Sequence, residues 1–276
     1  SYVELMISPH LLPVARVGAQ ARITDDASMT SHVSAFTPHF GPLLKAAQDE
    51  TDRMERGARA IMKCDTPEAK PGCGVSVRYL YQTVRTLPPG MVLSQLAFGY
   101  ALVKADPRFV GVNIVAPEDN PVAMRDYSLH MQMFHVLSAR ASDVKLSLHA
   151  GELAEGLVPP EGLRDHIRQA VEVAGAKRIG HGVDVLQERD PYGLLNEMAR
   201  RGVMVEINLT SNDEILGIRG SAHPLMTYRA HGVPVALSTD DEGVSRGSQI
   251  AESDREARDY DPSSTFTKPM ARTRLH

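Results

Sequence analysis

Residues 170–183 read Ala170-Val171-Glu172-Val173-Ala174-Gly175-Ala176-Lys177-Arg178-Ile179-Gly180-His181-Gly182-Val183, and the change of period inside this stretch decides the fold. With Leu163 and Ile167, the apolar Ala170, Val171 and Ala174 recur at helical spacing, and Gly175 closes the run as a C-terminal glycine does. Residues 178–183 then read as a short apolar strand and its exit. The pattern repeats downstream: Leu194, Leu195, Met198 and Ala199 lead to Gly202 and a strand over 203–209, and Gly232 precedes another over 233–238.

Earlier strands are read over residues 2–8, 75–82, 109–115 and 145–148, which makes seven. Helices are expected over 28–62 in one long or broken piece, over 91–105, and over 122–139 behind Pro121, a residue suited to a first helical turn. Alternating strands and helices predict a parallel sheet with right-handed crossovers, either closed or doubly wound. Strand after strand ends in polar groups: His149 to Glu152, His181, Thr210 to Asn212, then Asp240 and Asp241. In a closed barrel these ends converge on one mouth, which favours a TIM-like (β/α)8 barrel. A doubly wound sheet would concentrate function at a switch point beside a Gly-rich loop, and the chain has neither a G-x-G-x-x-G nor a Walker pattern. A single barrel domain over 1–276 is expected.

Composition narrows the partners. The hydrophobic share of 42% and charged share of 23% are those of an ordinary globular protein, and no apolar run approaches the ~20 residues of a membrane helix. A formal net charge of -4 provides no basic surface for a polynucleotide, so a small molecule is the expected partner; no oligomeric state can be read. Cys64 and Cys73 flank the loop 65–72 without histidines at zinc-finger spacing and are expected to be free thiols. The opening 1–8 reads as a strand already in progress, with the natural start expected upstream. A cytoplasmic location is expected, with secretion or a periplasmic location left open.

Three clusters carry chemistry. Ser147-Leu148-His149-Ala150-Gly151-Glu152 sets an imidazole and a carboxylate three residues apart where an apolar strand leaves the core; imidazole suits zinc and a neighbouring carboxyl suits proton transfer. His181 lies between two glycines, which lets a turn present its ring. Asp240 and Asp241 are adjacent anions after Val235-Ala236-Leu237 and repel each other unless a cation or a ligand compensates. Each alone has an ordinary structural reading; together they call for a divalent metal or a polar substrate. The methionines and aromatics of 124–137 read as helix packing, and the acidic stretch 252–256 as a solvated helix face, while the tail 267–276 reads as the start of a closing helix.

His-Ala-Gly-Glu at 149–152, Arg-Ile-Gly-His-Gly at 178–182, Thr-Ser-Asn at 210–212 and Ser-Thr-Asp-Asp at 238–241, in this order, resemble the adenosine deaminase family of the amidohydrolase superfamily. Tyr2-Val3-Glu4-Leu5 followed by Ser8-Pro9-His10 is similar to that family's second strand, so strands two to eight are expected here and the first strand upstream. The resemblance implies that His149 and Asp240 are zinc ligands, that Glu152 hands a proton to the purine ring, and that His181 orients or deprotonates the attacking water. Asp241 would grip the purine, with a further substrate contact at Ala116, where the family often has glycine. Its first strand carries a His-x-His pair; none of the eleven histidines here are so spaced. Glu242-Gly243-Val244 follows the aspartates where well-known members have proline.

The implied activity is zinc-dependent hydrolytic deamination of a purine nucleoside, adenosine to inosine plus ammonia. Two alternatives stand beside it. One is a non-catalytic purine-binding or structural homologue with a degraded metal site; the other is an amidohydrolase acting on a different cyclic amidine.

Overall fold

The computed structural model describes residues 1–241. Glu242-Gly243-Val244, the acidic stretch 252–256 and the tail 267–276 lie outside the described residues. Two compact units are formed among the described residues, Ser1–Ala116 with Gln132–Lys145, and Pro117–Met131 with residues 146–241.

The first unit is built on a three-stranded parallel sheet ordered β1 (Tyr2–Ile7), β2 (Ser76–Val84) and β3 (Phe109–Val115). Tyr2 pairs with Ser76 and Tyr81 with Val112; the register slips between Tyr79 and Leu80. Helix α1 (Leu11–Val17) follows β1, and the expected long helix is broken into α2 (Asp26–Phe36) and α3 (Phe40–Ile61). Pro38 lies in the 3-10 turn Thr37–His39 between them, where its missing N–H and ring disfavour an unbroken helix. Asp25 and Ser28 cap each other at the start of α2. Helix α4 (Pro89–Ala105) buries Val92, Leu93, Leu96, Phe98 and Leu102 completely. The second half of α5 (Pro121–Arg140) also belongs here.

One expectation fails in this unit. Cys64 and Cys73 are not free thiols but form a disulfide. Lys63 and Asp65 take left-handed backbone angles, φ 54° and 68°, and the Lys70 N–H donates to the Met62 carbonyl at 3.0 Å, closing the loop 65–72. That closure brings the two Cα atoms to 5.5 Å, a spacing cysteine spacing alone did not disclose.

The second unit carries a four-stranded parallel sheet ordered β4 (Ser147–Ala150), β5 (Arg178–His181), β6 (Met204–Ile207) and β7 (Val235–Leu237). Leu148, Ile179, Val205 and Ile207 are fully buried, the continuous apolar core of parallel strands. Between β4 and β5, α6 (His166–Gln169) continues as one π-helical stretch, Ala170–Ala174, and ends on Gly175 at φ 80°. Helix α7 (Pro191–Arg201) starts on the Asp190 cap and stops at Gly202. Helices α8 (Leu209–Leu216) and α9 (Leu225–Ala230) lie between β6 and β7. Among the described residues, no helix is long and apolar enough to cross a membrane.

Candidate active site

Parallel pairing of β4 with β5 sets His149 opposite Gly180 and Ala150 opposite His181, so two imidazoles leave neighbouring strands at the same end. Their ring centroids are 5.1 Å apart. Asp240 comes from the exit of β7. One ligand-capable atom from each of His149, His181 and Asp240 lies within 4.8 Å of the others.

The backbone is bent to achieve this. His181 is fully buried at φ 71°, and Asp240 stands at φ 52°, left-handed angles that cost a residue with a Cβ about 1–2 kcal/mol each. The His181 turn is held by Gly182 N–H on the Ala150 carbonyl at 3.0 Å and Val183 N–H on the Gly151 carbonyl at 2.7 Å. Tyr228 donates its hydroxyl to the Gly182 carbonyl at 2.6 Å. A Cβ on Gly182, itself at φ 58°, would stand 2.5 Å from that hydroxyl, whereas at Gly180 a Cβ meets only ordinary contacts at 3.6 Å. Of the two flanking glycines, Gly182 is therefore the one the turn requires.

Glu152 is half-buried with Oε1 3.5 Å from Nδ1 of His181. Its loop hangs on Glu118, which accepts from the backbone N–H of Gly151 at 3.1 Å and of Glu152 at 2.9 Å. Glu118 also meets Nδ1 of His166 at 2.6 Å. The His166 ring stacks on Tyr127, with centroids 3.6 Å apart. Asp184 fills the space under Gly151, where a Cβ would come 2.5 Å from its Oδ1. Burial first, then Glu118 and Glu188, hold the Asp184 carboxyl well above the usual carboxylate range; burial likewise pushes Glu188 up to about 7.

Nδ1 of His181 faces the side-chain amides of Asn212 at 2.9 Å and Asn208 at 3.3 Å. Nε2, buried, has no hydrogen-bond partner among the described residues. A buried polar atom without a partner is costly and rare, so this nitrogen is built for something the described residues do not provide. Imidazole and carboxylate donors at His149 and Asp240, beside that unmatched nitrogen, fit a divalent cation such as zinc together with an oxygen ligand.

The structure thus brings together His149, Glu152, His181 and Asp240. Asp241 follows directly and is exposed. Ala116, in the first unit, directly follows β3 at φ 83°, an angle that glycine adopts more readily. Thr210, Ser211 and Asn212, expected at a strand exit, instead form the first turn of α8, because β6 stops at Ile207. The helical turn aims Ser211 at Asp240, with Oγ donating to Oδ2 at 2.7 Å, and Asn212 at His181. Sequence reasoning missed Glu118, His166, Asp184 and Asn208, which have no motif spacing; Asp184 between Val183 and Val185, and Asn208 between Ile207 and Leu209, carry the one signal, a polar residue flanked by apolar ones, while Glu118 and His166 sit among other polar residues.

A family model described as adenosine deaminase matches residues 53–265. An adenosine deaminase of Clostridium perfringens is 29% identical over 151 residues, which cover 53% of this chain and 41% of that protein. One from Escherichia coli is 37% identical over 111 residues, covering 40% of this chain and 30% of the relative. The matched stretches thus span less than half the length of these curated relatives. Among solved structures, an Arabidopsis ADAL complexed with IMP superposes with a TM-score of 0.57 at 20% identity, covering 94% of this chain and 61% of that one. This likeness bears out the α/β, TIM-like fold class.

Proposed function

Because this chain belongs to the adenosine deaminase family, we propose that it works in hydrolytic deamination of a purine nucleoside, converting adenosine and water to inosine and ammonia with one zinc ion. The observation that carries the reading is the convergence of His149, His181 and Asp240 within 4.8 Å, with Glu152 alongside. A zinc ion held by His149 and Asp240 would supply a nucleophile from water at neutral pH. Glu152, on a loop braced by Glu118, hands a proton to the ring nitrogen as the water oxygen bonds to the amino-bearing carbon. The carbon–nitrogen bond then breaks: one proton of the water leaves with the amino group as ammonia, and the other returns to Glu152 as the carbonyl forms. His181 meets the nucleophile through Nε2, and Asp241 holds the purine.

The test is an absorbance assay on the full-length, zinc-loaded protein with adenosine, deoxyadenosine, adenine and N6-methylated analogues. Adenosine 5′-monophosphate belongs in the panel, since the Arabidopsis relative holds a purine nucleotide. Loss of the adenine band with ammonia release is expected for adenosine. Turnover of the monophosphate alone would replace the nucleoside with a nucleotide, and no change with any compound overturns the reading.

A further inference from the structure

The polarity of one buried hydrogen-bond chain decides where the proton of His181 sits. The backbone N–H of Leu225, which can only donate, meets Nδ1 of His223 at 3.1 Å. That nitrogen must accept, so the neutral His223 ring carries its hydrogen on Nε2. Nε2 lies 3.1 Å from Oδ1 of Asn212 and donates to it. The Asn212 amide is thereby oriented, and its NH2 faces Nδ1 of His181 at 2.9 Å. Nδ1 of His181 accepts, which leaves the hydrogen of the neutral ring on Nε2.

We propose that Asn212 and His223 are positioning residues which lock His181 in the Nε2–H tautomer, so that it serves its site as a hydrogen-bond donor and not as a base or a metal ligand. A nitrogen that carries a hydrogen has no lone pair for a cation or for a proton from water. The unmatched Nε2 is thus a donor awaiting an oxygen. His149 and Asp240 remain as the metal-binding pair.

The chain is sheltered from solvent: His181, Asn212 and His223 are all buried, with Asn212 and His181 at 0% exposure. Burial, with His181 nearby, holds His223 down at about 4, which keeps its ring neutral around pH 7 as the polarity requires. Two other groups face Nδ1 of His181. Asn208 offers a second amide N–H at 3.3 Å, and Glu152 lies at 3.5 Å, where a carboxylate would pull the hydrogen to Nδ1. Asn212 is closer than either and is the one whose direction is tied to a backbone amide.

This inference rests on the deaminase reading only for its use in catalysis; the tautomer itself needs no substrate. Nitrogen-15 spectra of histidine-labelled full-length protein at neutral pH read it, with the His181 signals assigned by their loss in His181→Asn. Wild type is expected to show a bare Nδ1 and a protonated Nε2. Asn212→Asp replaces the donor with a carboxylate and is expected to put a hydrogen on Nδ1, with kcat down by about 100-fold and KM within a few-fold. His223→Gln, which can accept from Leu225 and donate to Asn212, is expected to keep Nδ1 bare. A hydrogen on Nδ1 in wild type overturns the proposal, even if no variant folds, as does an Nδ1 that stays bare in Asn212→Asp. Wild type with the expected tautomer but no turnover of any purine overturns the activity alone.

Discussion

Oγ of Ser211, in the first turn of α8, donates a 2.7 Å hydrogen bond to Oδ2 of Asp240, beyond the end of β7. The bond ties one carboxylate oxygen in place while the Asp240 backbone holds a left-handed angle, leaving the other oxygen for a cation. Removing the hydroxyl frees the carboxylate to rotate. Ser211→Ala is expected to weaken zinc binding by ~10–100-fold with little change in thermal stability, as measured by competition with a chromophoric chelator. Equal affinities would show that Ser211 does not orient the site.

Glu152→Gln keeps the shape of the loop and the backbone bonds to Glu118, yet the amide has no proton to give. Zinc content is expected to match wild type while kcat falls by ~100-fold or more. Undiminished turnover would remove Glu152 from its acid role.

Burial raises Glu188 from about 4.5 to about 7, so between these values the folded state holds a proton that the unfolded chain has released. Its contribution to stability is fully present below pH about 4.5 and is lost as the pH rises through 7. Glu188→Gln lacks this titration. Relative to the variant, wild type is expected to lose on the order of 2–3 kcal/mol between pH 4.5 and 8, read from denaturant unfolding at both ends. His223 works in the opposite sense, losing stability as the pH falls from 6.5 to about 4, but it is common to both proteins and cancels. Parallel pH curves for the two would contradict the raised carboxyl.

The Cys64–Cys73 bridge closes a short loop with a sequence separation of 9. Loop-closure entropy assigns such a crosslink on the order of 2–3 kcal/mol. Protein purified without reductant is expected to yield the crosslinked peptide on mapping and to melt several degrees lower after reduction. Two titratable thiols in the native oxidised protein would refute the bridge.

Much of the fold was legible because buried parallel strands are short apolar runs ending at glycines or polar clusters. Strand β3 was read at its full extent, and α4 and α5 within two residues at each end. Helices α1, α8 and α9 were not read, since each, at eight residues or fewer, is too short to show a period. Helix α8 was hidden further by the stretch 203–209, in which the last strand residue, Ile207, and the first helix residue, Leu209, look alike.

Side-chain identity at strand ends was a local property, so His149, Glu152, His181 and Asp240 could be found along the chain, together with the chemistry such groups perform. Which atoms face one another was not local. The Ser211 bond to Asp240, the Glu118 brace under Glu152, the disulfide and the direction of the Leu225–His223–Asn212–His181 chain each join segments that only packing makes neighbours. A hydrogen bond falls off within fractions of an ångström and depends on angle, so its existence is decided by the folded backbone and not by the order of residues.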